Sequence, residues 1–223
     1  MNGSIVWRLI AKDLYLYRWL IAGSLLAGFA SLPISGSGSA TRIIGLILFM
    51  TSIIALGIFI AMYGVLTERQ NKSLLFVLSL PLSPMQYTVA KVAASLIAFL
   101  IPWVVLGATA VGIAVAFDPP PDGTIPFTVA MMFFFLANFC ALLALLMITR
   151  SEYWAIAGIL LTNFGVAAYM NIVSGLPGIA ANTDGPVAVW GTTVLTVIAV
   201  EAAAVVLSLG LAFYVQARRK DFV

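Results

Sequence analysis

Marked by hydrophobicity alone, the chain resolves into six long apolar runs parted by short polar breaks. The runs cover about residues 17–32, 43–66, 89–117, 125–148, 154–173 and 189–215. The breaks hold residues that stop helices: Pro33 with SGSGS after the first run, Pro81 and Pro84 after the second, DPPPDG after the third. Proline interrupts a helix because it lacks the amide N–H and its ring clashes with the preceding turn. Runs of roughly 20 apolar residues match the ~30 Å hydrocarbon core of a bilayer. The apolar positions are continuous, not alternating, so they read as helices and not as barrel strands, the two structures that satisfy their own backbone in lipid. The pattern predicts an all-α polytopic membrane protein with six transmembrane helices in a single domain, residues 1–223.

Three segments do not fit a simple span. In residues 5–16, IVWRLIAKDLYL, Ile5, Leu9 and Leu16 fall near one helical face while Arg8, Lys12 and Asp13 fall on another. That spacing predicts an amphipathic helix lying in the interface, with Trp7, Tyr15, Tyr17 and Trp19 as anchors at headgroup level; the alternative is that these residues extend the first span. The second segment, TERQNKSLLFVLSLPLS at 67–83, is too short to cross a bilayer. Thr67 and Gln70 match a capping box, and Glu68 and Lys72 stand four apart in the favourable order, so a short amphipathic helix is predicted, ended by Pro81 and Pro84. Leu74, Leu75 and Leu78 would face the membrane, leaving Arg69, Ser73, Phe76 and Leu80 as a face open to a partner. The third, residues 174–188, is apolar but broken by Gly175, Pro177, Gly178, Gly185 and Pro186. It predicts either a half-inserted hairpin or a loose surface loop.

Charge sets the orientation. Arg8, Lys12, Arg18, Arg69, Lys72, Lys91, Arg150, Arg218, Arg219 and Lys220 share one side of the alternating spans, and Arg42 alone takes the other. By the excess of positive charge on cytoplasmic flanks, both termini are predicted in the cytoplasm. Composition agrees with a membrane protein: 63% hydrophobic, 9% charged, mean hydropathy +1.13. The net charge of +3 is not gathered into one patch, so nucleic acid is not an expected partner. No short apolar stretch followed by a small-residue cleavage site marks a signal peptide.

Candidate chemistry is sparse. The chain lacks G-x-x-x-x-G-K-[ST], H-E-x-x-H and G-x-S-x-G, and it has no histidine, so no catalytic role and no cofactor or metal are expected within it. Its single cysteine, Cys140, lies in an apolar run and reads as a small buried hydrophobe. Glu201 is conspicuous in VIAVEAAAVV, since a charged group at the bilayer centre costs roughly 3 kcal/mol on insertion scales. It is either a translocation-path residue or a protonated carboxyl bonded to a neighbouring helix. Asn138 and Asn163 are milder candidates of the same kind. Phe133 to Phe135 read as packing or lipid contact.

The segment Glu68 to Lys91 resembles the permease subunits of type-2 ATP-binding-cassette (ABC) exporters. The resemblance rests on Glu68, Arg69, Ser73, Leu74, Ser79, Leu80, Pro81, Ser83 and Lys91, and the six-span layout extends it to the whole chain. It implies that 67–83 is a coupling helix seated in a separate cytoplasmic ABC ATPase, with Glu68, Arg69, Lys72, Ser73, Phe76, Ser79, Leu80, Pro81 and Ser83 at the contact. It further implies two ATPase copies carrying ATP and Mg, a second permease subunit as homodimer or similar heterodimer, and residence in a prokaryotic cytoplasmic (inner) membrane. The competing reading is an ATP-independent secondary transporter or channel.

Overall fold

The computed structural model describes residues 3–36, 39–67, 83–116, 122–149 and 152–218. The described residues are helical almost throughout. In order they form α1 (Gly3–Gly36), α2 (Ser39–Ala61) with a terminal π-helical turn (Met62–Thr67), α3 (Pro84–Ala116), a 3-10 turn (Asp122–Thr124), α4 (Ile125–Ile148), α5 (Glu152–Ser174), a single-turn α6 (Pro177–Ala180) and α7 (Thr192–Arg218). Six of them are long and apolar enough to cross a membrane, which supports a multi-pass membrane protein.

Lipid tails are as apolar as leucine, so these helices associate through close packing and polar contacts, not through escape from water. The helix with the most to pack is α4, whose most apolar window is 61% buried, against 11% for that of α7 and 17% for that of α5. It forms the axis of the bundle. On one side α1 packs along α2 and α3; on the other α4 packs chiefly along α7 and also against α5. The two groups meet where α4 touches α2 and α3. Their shared core holds Ile53 and Ile60 of α2, Phe99 and Leu106 of α3, and Phe139 and Leu143 of α4. Phe99 and Phe139 stack with centroids 4.2 Å apart.

The three consecutive phenylalanines show how α4 serves as an axis. Successive residues of a helix point about 100° apart, so each ring meets a different neighbour. Phe133 sits edge-on to Trp103 of α3 at 5.8 Å, Phe134 stacks on Tyr169 of α5 at 4.0 Å, and Phe135 is buried in the core. Their role is packing, as one of the two sequence readings held.

Polar groups close the remaining gaps. Ser24 Oγ donates to the Ser52 carbonyl (3.0 Å), joining α1 to α2, and Trp103 Nε1 donates to the Met132 carbonyl (2.6 Å), joining α3 to α4. At its C-terminus α4 leaves carbonyls without helical partners. Gln216 Nε2 of α7 donates to one of them, Met147 O, at 2.6 Å.

The sequence readings need three corrections. Residues 5–16 are not a separate interfacial helix: they are the opening turns of α1, continuous into the first span. Tyr17 is no headgroup anchor, because it is buried in the core, whereas Trp7, Tyr15 and Trp19 are exposed. Pro33 does not stop the first helix, because α1 runs through it to Gly36, and Pro84 occupies the first position of α3, where a missing N–H costs nothing.

The far side is closed by the 174–188 segment, which packs on the bundle instead of standing clear of it. Ile179 of α6 is buried with Val173 of α5 and Val194 of α7. Gly123 N–H donates to Gly185 O at 2.9 Å, tying the α3–α4 turn to the α6–α7 connection. A side chain at Gly123 would collide with the Asn182 carbonyl, a backbone atom that cannot swing away. Gly123→Ala is therefore expected to destabilise the protein by about 1–3 kcal/mol. Gly112→Ala, with open space around it, should leave the thermal midpoint in detergent near that of wild type.

Candidate functional site

Of the residues assigned to ATPase coupling, Glu68, Arg69, Lys72, Ser73, Phe76, Ser79, Leu80 and Pro81 lie outside the described residues, as does Gln70 of the Thr67 capping box. The structure does describe the two ends between which they run. The α2 end finishes in the π-helical turn Met62–Thr67, a form that concentrates at functional positions in helices. Gly64 within it presses against α1: a Cβ there would lie 2.5 Å from the Tyr17 hydroxyl and 3.5 Å from Ser95 Oγ of α3.

The α3 end is built by a reciprocal cap. Gln86 N–H donates to Ser83 Oγ (3.2 Å), and Ser83 N–H donates to Gln86 Oε1 (3.0 Å). This is the Ser-x-x-Gln capping box, with proline at the first helical position. It satisfies amides that a helix start leaves open. Ser83, the one described member of the coupling set, therefore has a local task as helix cap.

Behind this cap runs a buried polar stripe. Thr88, Lys91 and Ser95 stand at i, i+3 and i+7 on one face of α3, each at most 3% exposed. Opposite them on α1 are Asp13 and Tyr17, one turn apart. Lys91 Nζ donates to Asp13 Oδ2 at 2.8 Å, with both side chains buried. The other oxygen, Oδ1, lies 3.2 Å from Lys12 Nζ without completing a well-formed hydrogen bond. Ile10 of α1 packs against Ala90 and Ala94 of α3 beside the pair, supported by Val6 and Leu9. The alanines let the two helices approach closely enough for the ion pair to form. The side that covers α3 is therefore Val6, Leu9, Ile10 and Asp13, not the predicted apolar face of Ile5, Leu9 and Leu16, since Leu16 is exposed and Asp13 is buried.

The intramembrane candidates are not gathered into one path. Val194, Glu201 and Ala212 are the buried residues of α7. Their spacings of seven and eleven bring them to one stripe within about 20°, so Glu201 faces the bundle. It sits nine residues into α7, roughly 14 Å along the axis. Tyr169 of α5 is its electrostatic neighbour. Among the described residues, neither the Tyr169 hydroxyl nor either Glu201 oxygen completes a hydrogen bond of normal geometry. Asn138 instead lines a cavity of about 10 Å³ with Thr162, Phe99 and Ile53, at the lower limit for one water. Asn163 is exposed on α5, its Nδ2 donating to Ile159 O of its own helix at 2.9 Å.

Three features escaped the sequence reading: the Asp13–Lys91 pair, Tyr169 beside Glu201, and the Ser83–Gln86 box. The first had a signal. Lys91 interrupts an apolar stretch, TVAKVAASL, and Asp13 is the one acid that precedes Glu68 in the chain. The capping box was readable as S-P-M-Q, but Pro84 drew attention as a terminator.

Compared with known proteins, the chain matches no family model, no curated relative and no solved structure.

Removing one partner of a buried pair strands the other charge, at a cost of about 3–5 kcal/mol. Asp13→Asn and Lys91→Met should each lower the thermal midpoint markedly. The exchange D13K/K91D should recover part of the loss, measured by thermal unfolding in detergent. An exchange no better than either single change would show that position, not pairing, is what matters.

Proposed function

We propose that this chain is the transmembrane subunit of an ATP-driven ABC transporter of the exporter type, supplying half of a translocation pathway and receiving work from a separate cytoplasmic ATPase. The observation that carries this reading is the Glu68–Lys91 stretch, placed between the second and third of six apolar helices. Two features support it. The chain has no nucleotide-binding motif, so an energised role needs an engine on another polypeptide. The ends of the 68–82 segment are also held firmly: the π-helical turn abuts Tyr17, and α3 is capped by Ser83 and joined to α1 through Asp13 and Lys91. A segment mounted on two braced helices transmits a push to the bundle instead of absorbing it.

On this reading, closure of two ATPase subunits around ATP and Mg displaces the 67–83 segments of two permease subunits and switches the cavity between them. The ten-to-one division of basic residues supports a cytoplasmic side for those segments and both termini, and the resemblance implies a prokaryotic inner membrane.

A second reading, ATP-independent transport, draws on one specific observation. Glu201 is a buried acid near the middle of a span, with Tyr169 as its polar neighbour among the described residues, and such groups mark ion or substrate routes in transporters.

Co-expression with candidate P-loop ATPases tests the first reading. Charge reversal at Glu68 or Arg69, or Phe76→Ala, should reduce ATPase co-purification several-fold while membrane insertion stays at the wild-type level. Undiminished co-purification in all three variants contradicts it. For the second reading, transport by vesicles without ATP, lost in Glu201→Gln, is the expected result.

A further inference from the structure

The outward face of α1 is a site in its own right. Trp7, Arg8, Lys12, Tyr15, Arg18 and Trp19 are all exposed. At about 100° per residue they fall within a single arc of some 140°, opposite Ile10, Asp13 and Tyr17. Six residues of this kind on one side of one helix give three cations interleaved with three aromatic rings.

The acid on this helix offsets those cations only in part, because it is shared between Lys91 and Lys12. Asp13 is buried against Lys91 on α3, and no other acid occurs before Glu68. Lys12 also contacts Asp13, but its side chain remains 46% exposed. Two rings hold one of the cations close to the helix: the Arg18 guanidinium lies 3.9 Å from the Tyr15 centroid and 5.3 Å from that of Trp19. A guanidinium stacked on a ring still presents its planar fork of N–H donors to an anion, and that fork matches a phosphate in two-pronged fashion.

The height of this face follows from helix length. The spanning portion of α1, Ile5–Ile34, has 30 residues, whereas about 20 suffice for the hydrocarbon core. Counting about 20 residues back from Ile34 ends near Leu14, so Trp7 to Trp19 straddles one boundary of the core. Tryptophan and tyrosine prefer that level, and anionic headgroups occupy it.

We propose that this face of α1 binds the headgroups of anionic phospholipids, with Arg8, Lys12 and Arg18 contacting the phosphates and the three rings seated at the acyl boundary. The charge complementarity is local to the described residues of α1 and α3, and it holds whether or not the chain couples to an ATPase.

The full chain, purified in mild detergent and titrated with phosphatidylglycerol or phosphatidylcholine under native mass spectrometry, provides the test. Each surface cation strengthens attachment to an anionic membrane by roughly fivefold. The triple variant R8Q/K12Q/R18Q should therefore lose its preference for phosphatidylglycerol by about tenfold or more. R8K/R18K keeps the charge without the guanidinium fork and should retain a clear part of the preference, while an unchanged thermal midpoint of the triple variant shows that its helix still folds. An equal affinity of wild type for both lipids overturns the proposal, as does a triple variant that keeps the preference. Stabilisation by millimolar inorganic phosphate equal to that by the lipid also overturns it, because the site would then take free anions. So does conversion from dimer to monomer in the triple variant with no change in lipid preference, since the face would then belong to a second copy.

Discussion

A lysine and an aspartate buried between helices in a membrane protein can persist only together. Taking either ion out of water costs several kcal/mol, and a single stranded partner leaves that cost uncompensated. Asp13 and Lys91 meet this constraint across 78 positions of chain. Much else follows from the pair. It fixes the rotation of α1 about its axis, because Asp13 must face α3. With that rotation set, Tyr17 comes against Gly64, Ile10 against Ala90 and Ala94, and the basic and aromatic side chains are left facing outward. One polar contact therefore sorts the N-terminal half of α1 into a packed face and an open one.

The remainder of the bundle is organised around α4, which carries no charged residue between Ile125 and Ile148. Its uniform apolarity suits it to be covered on most sides, and the directions of Phe133, Phe134 and Phe135 show that coverage one ring at a time. The far side is held by backbone and side chains together. The Gly123–Gly185 hydrogen bond joins two connections that are distant in sequence, and Ile179 closes the space between α5 and α7. The two ends of the bundle thus differ in kind, with an ion pair and a polar stripe at one and tightly packed turns at the other.

This asymmetry fits the proposed role. A subunit that receives force at one end benefits from a stiff mount there, and the capped, ion-paired start of α3 beside the π-helical end of α2 supplies one. Tyr169 of α5 and Glu201 of α7 are neighbours, and neither lines the small Asn138 cavity. Separate polar groups along the bundle are compatible with a path completed by a second subunit, since half a pathway need not gather its lining within one chain.

What could be read from residue order was whatever depends on local periodicity. Six helices long and apolar enough to span, the interruption over 174–188 and the inward-facing acid in the sixth run all follow from apolar run length and the backbone's need to satisfy itself in lipid. Pro33 did not act as a stop, since α1 continues through it to Gly36. The exposure of Trp7, Tyr15 and Trp19 was readable on the same ground. Partner choice was not. Leu9 and Asp13, four apart, share one side of the helix, but spacing does not say whether that side meets the membrane surface or the flank of α3. The burial of Tyr17, the placement of Asn163 on the outer surface of α5 and the meeting of Glu201 with Tyr169 were likewise set by which helices lie side by side. Those contacts join residues tens of positions apart, and they depend on close packing and on pairing of buried charge, neither of which leaves a period in the chain.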